Sequence, residues 1–113
     1  MDEISIDKTK AQMRKGVLEL CILSIISRKE AYASDILDEM KESDLLVVEG
    51  TLYPILTRLK NDGYLEYRWE ESKSGPPRKY YTLTEKGNKS LTEMKTSWED
   101  FKSTVEKIIH KTL

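Results

Sequence analysis

The sequence predicts a mainly α (α+β) chain: three helices, a two-stranded hairpin and one long final helix. Three observations carry this. Apolar residues recur at helical spacing over most of the 113 residues. From Leu65 to Thr82 that spacing gives way to alternation around a turn rich in Gly, Pro and Ser. Between Leu91 and Ile108 an apolar seam repeats every three or four residues.

The first helix is predicted from Lys8 to Arg28. Its middle, Val17 to Ile26, is apolar nearly all round, which suits a central, buried helix. Lys29 to Ala33 connect it to a second helix. Ser34 is the expected N-cap there, with Asp35, Asp38 and Glu39 near the positive end of the dipole. Ile36, Leu37 and Met40 supply its inner face, and it ends near Glu42-Ser43. Leu45 to Val48 form an apolar bridge that has the chemistry for one β-pair.

The third helix covers GTLYPILTRLKN, Gly50 to Asn61. At about 100° per residue, Leu52, Ile55, Leu56 and Leu59 share one side. Gly50, Pro54, Thr57 and Asn61 fall opposite, flanked by Tyr53 and Arg58. A proline inside a helix removes one hydrogen bond. If the helix begins near Glu49, the missing bond is the one to the Gly50 carbonyl, close to an end where bonding is already incomplete. The cost then falls below the ~3 kcal/mol of an interior proline. Asp62-Gly63 closes the helix, with Gly63 left-handed.

Leu65, Tyr67 and Trp69 then alternate with polar residues, which assigns Trp69 to the hairpin core. Ser72 to Pro77 form the turn, and Arg78 to Thr82 the return strand, giving a hairpin with a basic, proline-bearing tip. Thr84 caps the last helix, with Glu85 in its first turn. Along that helix Leu91, Met94, Trp98, Phe101, Val105 and Ile108 form a seam suited to the core or to a second subunit. Helices followed by a hairpin are the parts of a winged helix-turn-helix. Residues 1–84 would form that unit and residues 85–113 a C-terminal dimerisation helix.

Composition narrows the function. Cys21 and His110 are the sole cysteine and histidine and stand far apart, so no disulfide, zinc cluster or Cys–His nucleophile is expected. Cys21 reads as a small buried hydrophobe. No glycine-rich phosphate loop is present, and neither an enzyme nor a cofactor is expected. No apolar run is long enough to span a membrane, and a cytoplasmic location is expected. Net charge is only −1, but three segments are free of acids. Lys8, Lys10, Arg14 and Lys15 occupy the first, Arg58 and Lys60 the second, and Lys73, Arg78 and Lys79 the third. Such segregation makes a basic face on a neutral protein if the fold gathers the segments on one side.

"EGTLYPILTRLKNDGYLE" followed by "SGPPRKYYTLTEKG" closely resembles the PadR family of transcriptional regulators, and "RKGVLELCILSII" is similar to that family's opening helix. The resemblance covers nearly the whole chain. It implies a homodimeric winged helix-turn-helix repressor on palindromic double-stranded DNA, of the small subfamily whose single C-terminal helix makes the dimer. It assigns Thr51, Tyr53 and Pro54 to the recognition helix and Arg78, Lys79 and Tyr80 to the wing. With the outward positions above, the expected DNA-binding set is Tyr32, Gly50, Thr51, Tyr53, Pro54, Thr57, Arg58, Asn61, Lys73, Arg78, Lys79 and Tyr80. This chain has Ala33 where the family often has glycine. Some small members bind planar aromatic compounds between paired tryptophans. Met94, Trp98, Phe101 and Val105 are accordingly either plain dimer packing, the favoured reading, or the lining of an effector pocket. The other functional class is a winged-helix protein-interaction module without sequence-specific DNA binding.

Overall fold

Four helices precede the hairpin, one more than the pattern predicts. In the computed structural model, which describes residues 6–111, the order is α1 (Ile6–Lys15), α2 (Leu18–Arg28), α3 (Ala33–Glu42), α4 (Glu49–Asn61), β1 (Leu65–Ser72), β2 (Gly75–Leu83) and α5 (Glu85–Ile109). The expected single first helix is broken at Gly16-Val17, where the Val17 N–H donates to the Arg14 carbonyl at 3.0 Å. Glycine carries the largest helix cost of any residue but proline, and the β-branched valine after it adds to that cost. No residue of α1 is buried, whereas α2 buries Leu18, Ile22, Leu23, Ile25 and Ile26.

The second helix of the pattern is α3, and it starts two residues earlier than expected. Ser34 is not its cap. Tyr32 holds the N-cap position, and its N–H donates to Asp35 Oδ2 at 3.0 Å. The Asp35 carboxylate thus serves a helix-end N–H from within the first turn, the half of a capping box that a serine does not supply. At the other end Asp44 takes a left-handed φ of 63°. There the Leu45 N–H reaches the Met40 carbonyl at 2.8 Å and the Asp44 N–H reaches that of Lys41 at 3.0 Å. The same paired closure ends α4, with Gly63 at φ 87° as expected. Leu45 to Val48 make no strand. The isolated β-bridge forms instead between Ala31 and Tyr81, so the α2–α3 connector takes the place beside β2.

The core joins Ile22, Leu23, Ile26, Ile36, Met40, Leu52, Leu56 and Leu59 with Leu65 and Tyr81 of the hairpin. β1 and β2 pair antiparallel from Leu65↔Leu83 to Glu70↔Arg78, with a register shift before Ser72↔Gly75. The connecting loop is therefore only Lys73-Ser74, shorter than the expected turn, and Pro76 and Pro77 stand inside β2. They sit at the register shift, where the ladder is already interrupted and a missing N–H costs little. The register sorts the side chains. Leu65, Tyr67, Trp69, Lys79, Tyr81 and Leu83 share one face, and Glu66, Arg68, Glu70, Arg78, Tyr80 and Thr82 the other. The first face is apolar core only at its base. Trp69, expected in that core, is 61% exposed, because the hairpin outruns the helical body beneath it.

Thr84 caps α5 as expected: its Oγ1 accepts from the Gly87 N–H at 3.0 Å and donates to the Gly63 carbonyl at 2.6 Å. A Cβ at Gly87 would lie 2.1 Å from the Tyr64 carbonyl oxygen, so only glycine permits this approach. Leu91 is the last buried residue of α5. Beyond it the helix leaves the body. The radius of gyration, 16.8 Å, exceeds the roughly 13 Å of a compact chain of this length.

Candidate nucleic-acid interface

The second helix of the helix-turn-helix pair, α4, buries Leu52, Leu56 and Leu59 and turns Gly50, Thr51, Tyr53, Pro54, Thr57 and Asn61 to solvent. Glu49 is the sole carboxylate of α4, in its first turn. Pro54 forfeits the bond to Gly50, as expected, and the helix continues past it. A Cβ at Gly50 would meet nothing within 4 Å. The chain's own packing therefore does not require glycine there, and the bare backbone lies open on the outward face.

Arg58 departs from that surface. Its guanidinium is ion-paired with Glu19 of α2, on the flank of α4 away from the wing. With Arg14 it lines the groove beside α5. Lys60 takes the place on the wing side, its ammonium 5.7 Å from the Tyr67 ring centre. The Lys79 ammonium lies 4.5 Å from the Tyr67 ring and 5.2 Å from that of Trp69. Tyr67 and Trp69 meet edge to face at 5.9 Å. Burial pushes the Tyr81 phenol pKa up, and the neighbouring Tyr53 and Tyr67 phenols add to this. Tyr53 and Lys60 of α4 thus look onto the same wing face as Lys79. Lys60 of the second basic segment and Lys79 of the third meet here, while Arg14 of the first lines the groove.

Arg78, Tyr80 and Tyr32 assemble on the opposite wing face. Tyr32 and Tyr80 stack with ring centres 3.8 Å apart, and the Arg78 guanidinium sits 5.0 Å from the Tyr32 ring. Arg68 lies 4.7 Å from the Tyr80 ring. It grips Glu30 through two bonds, Nη2 to Oε1 at 2.6 Å and Nε to Oε2 at 3.1 Å. This forked pairing holds the Glu30 carboxyl below the usual carboxylate range and raises the Arg68 guanidinium. Hydrogen bonding to Tyr32, then desolvation, raises the Tyr80 phenol. Lys73 stands at the tip of the hairpin. The predicted wing residues therefore divide between two faces, and only Lys79 shares one with the α4 flank.

Lys60, Tyr67, Trp69, Glu30 and Arg68 were not among the expected site residues. Lys60 was visible as a cation in an acid-free stretch, and strand parity puts Tyr67 and Trp69 with Lys79. Glu30 and Arg68 are 38 positions apart, with no local pattern linking them.

Along α5, Met94 and Val105 are half-buried, while Trp98 is 37% and Phe101 64% exposed. Together with Met13 and Leu20 these four line an open groove of about 1150 Å³. Burial raises the pKa of the half-buried Cys21 thiol on α2, which disfavours a reactive thiolate. Among the described residues no group of His, Cys, Asp and Glu is placed to hold a metal, and no helix is long and apolar enough to cross a membrane.

Solved structures share this fold. A PadR-like transcription factor from Bacteroides fragilis is 56% identical, with 89% of this chain and 98% of that one covered and a TM-score of 0.76. A PadR-like transcriptional regulator from Bacillus cereus is 40% identical, with 89% and 99% covered and a TM-score of 0.79. Bacillus subtilis PadR, solved in complex with operator DNA, is 27% identical, with 69% of this chain and 46% of that one covered and a TM-score of 0.65. Residues 22–93 match the model of the transcriptional regulator PadR-like family. With its winged helix-turn-helix and C-terminal helix, the chain belongs to the PadR-like family of transcriptional regulators.

Proposed function

We propose that this regulator binds double-stranded operator DNA as a homodimer and acts as a repressor. The observation that carries the reading is the join between two surfaces: the outward face of α4, free of acids after Glu49, continues through Lys60 into the cationic wing face around Lys79. Short polar groups such as Thr51, Thr57 and Asn61 approach base edges and phosphates without desolvating a carboxylate. Pro54 adds a flat apolar surface suited to a sugar or a thymine methyl. The relative solved with operator DNA supports the same assignment.

A dimer supplies the symmetry that a palindromic operator needs. Two α4 helices would enter successive major grooves about 34–36 Å apart. The division into a DNA-binding unit, residues 1–84, and a dimerisation helix, residues 85–113, follows; residues 1–5 and 112–113 lie outside the described residues. Exposed Phe101, Ile108 and Ile109 leave α5 with an apolar face that a second copy would cover. A cytoplasmic protein without catalytic activity fits this role. An electrophoretic shift with the DNA upstream of its own gene tests it. The reading expects a retarded complex that resists mixed-sequence competitor. The absence of any shift would favour a protein-interaction module.

The groove beside Trp98 favours a second reading, a planar aromatic effector that releases DNA. Titration with planar cationic dyes is expected to quench tryptophan emission. No quenching across several dyes, with the dimer intact, would leave these residues as dimer packing alone.

A further inference from the structure

An exposed tryptophan on a hairpin calls for a reason. Trp69 is 61% exposed and stands outside the core, yet it is not isolated. It forms one wall of a cage whose other wall is Tyr67, with the Lys79 ammonium between them. Lys60 closes the cage from α4. Both cations are thereby held on one surface by rings, and among the described residues neither pairs with a carboxylate. The acids Glu66 and Glu70 of β1 alternate onto the opposite face, and Glu71 stands at the register shift. A cation fixed by aromatic faces keeps its full charge, whereas one fixed by an acid is neutralised. The other wing face shows the contrast, because there Glu30 binds Arg68 directly.

Lys60 ties the cage to the flank of α4 that also carries Tyr53, so the outward face of that helix runs on into the cage. We propose that Trp69 is a DNA-contacting residue: its exposed ring packs on a deoxyribose while the Lys79 ammonium it helps to hold takes the adjoining phosphate. This deepens the DNA-binding reading above and rests on it. The occupant is the sugar–phosphate backbone, selected by two cations that meet no carboxylate among the described residues, beside a flat ring. The contact itself carries no base information.

The test titrates the full chain with a labelled mixed-sequence duplex at low salt, reading duplex anisotropy and tryptophan emission together. In the wild type the emission is expected to shift with the same midpoint as the anisotropy. In Trp69→Phe that shift is expected to vanish while Trp98 still emits. Trp69→Ala is expected to weaken binding about fivefold with an unchanged salt slope, because the charge is unchanged. Lys79→Ala is expected to lower the slope by about 0.9. Binding seen by anisotropy with an unchanged Trp69 signal, or with Trp69→Ala at wild-type affinity, would overturn the proposal and leave the DNA-binding reading standing. No anisotropy change for the wild type would overturn both.

Discussion

Two exposed helix faces dominate this chain, and they differ in what they leave uncovered. The outward face of α4 exposes short polar groups and an open backbone at Gly50, beside ring-caged cations. The face of α5 beyond Leu91 exposes Trp98, Phe101 and Ile108, with no buried residue after Leu91. Water solvates the first without penalty and the second poorly. The first suits the charged, hydrated partner proposed for it, and the second the apolar one. A single amphipathic helix rule describes both; charge and exposure tell them apart.

The largest effect is expected where the apolar face is broken. Phe101→Asp would place a carboxylate in the proposed dimer seam, where burial of an unpaired charge is strongly disfavoured. Light scattering is expected to report a monomer. Because linked half-sites reinforce each other by ~10²–10⁴, operator affinity is expected to fall about a hundredfold or more. A dimer of unchanged affinity would contradict the role given to α5.

The two glycines sharpen the comparison further. Gly87→Ala drives a Cβ into the Tyr64 carbonyl, 2.1 Å away. It is expected to lower the thermal midpoint by about 10 °C. Gly50→Leu meets open space. It is expected to keep the midpoint and to weaken operator binding about tenfold, a difference of ~1.4 kcal/mol. The reverse pattern would show that the outward face is structural.

The smallest effect belongs to the anchoring of the wing. The folded Glu30 carboxyl titrates below its ordinary value of 4.5 because Arg68 bonds its charged form. Its contribution to stability is therefore complete above that value and is lost as the pH falls through the lower folded value. Thermal melts of Glu30→Gln and the wild type are expected to differ slightly at neutral pH and to converge under acid. A gap that widens on acidification would contradict the pairing.

Much of this was legible in the sequence because it is local. The inner faces of α3 and α4, the left-handed Gly63, the Thr84 cap and the long helix α5 all follow from spacing or from a single residue type. The break at Gly16 was hidden because the apolar run begins immediately after it, and apolar pattern outweighs one weak helix former. Trp69 was misplaced because parity gives a face but not how far the body beneath it extends. Arg58 counted as outward by helical angle, yet Glu19 of α2, which no local spacing connects to it, draws it to the other flank. The Tyr32–Tyr80 stack and the Glu30–Arg68 fork are likewise tertiary, and only the folded chain brings them together.

The central claim is that the wing and α4 together form a DNA-binding surface. It is tested most directly by titrating the upstream operator at two salt concentrations with the wild type and with the Arg78→Ala, Lys79→Ala double variant. The account predicts weaker binding to all duplexes and a salt slope shallower by roughly 0.9 for each phosphate that the variant no longer neutralises. Identical titrations of the two proteins at both salt concentrations would contradict it.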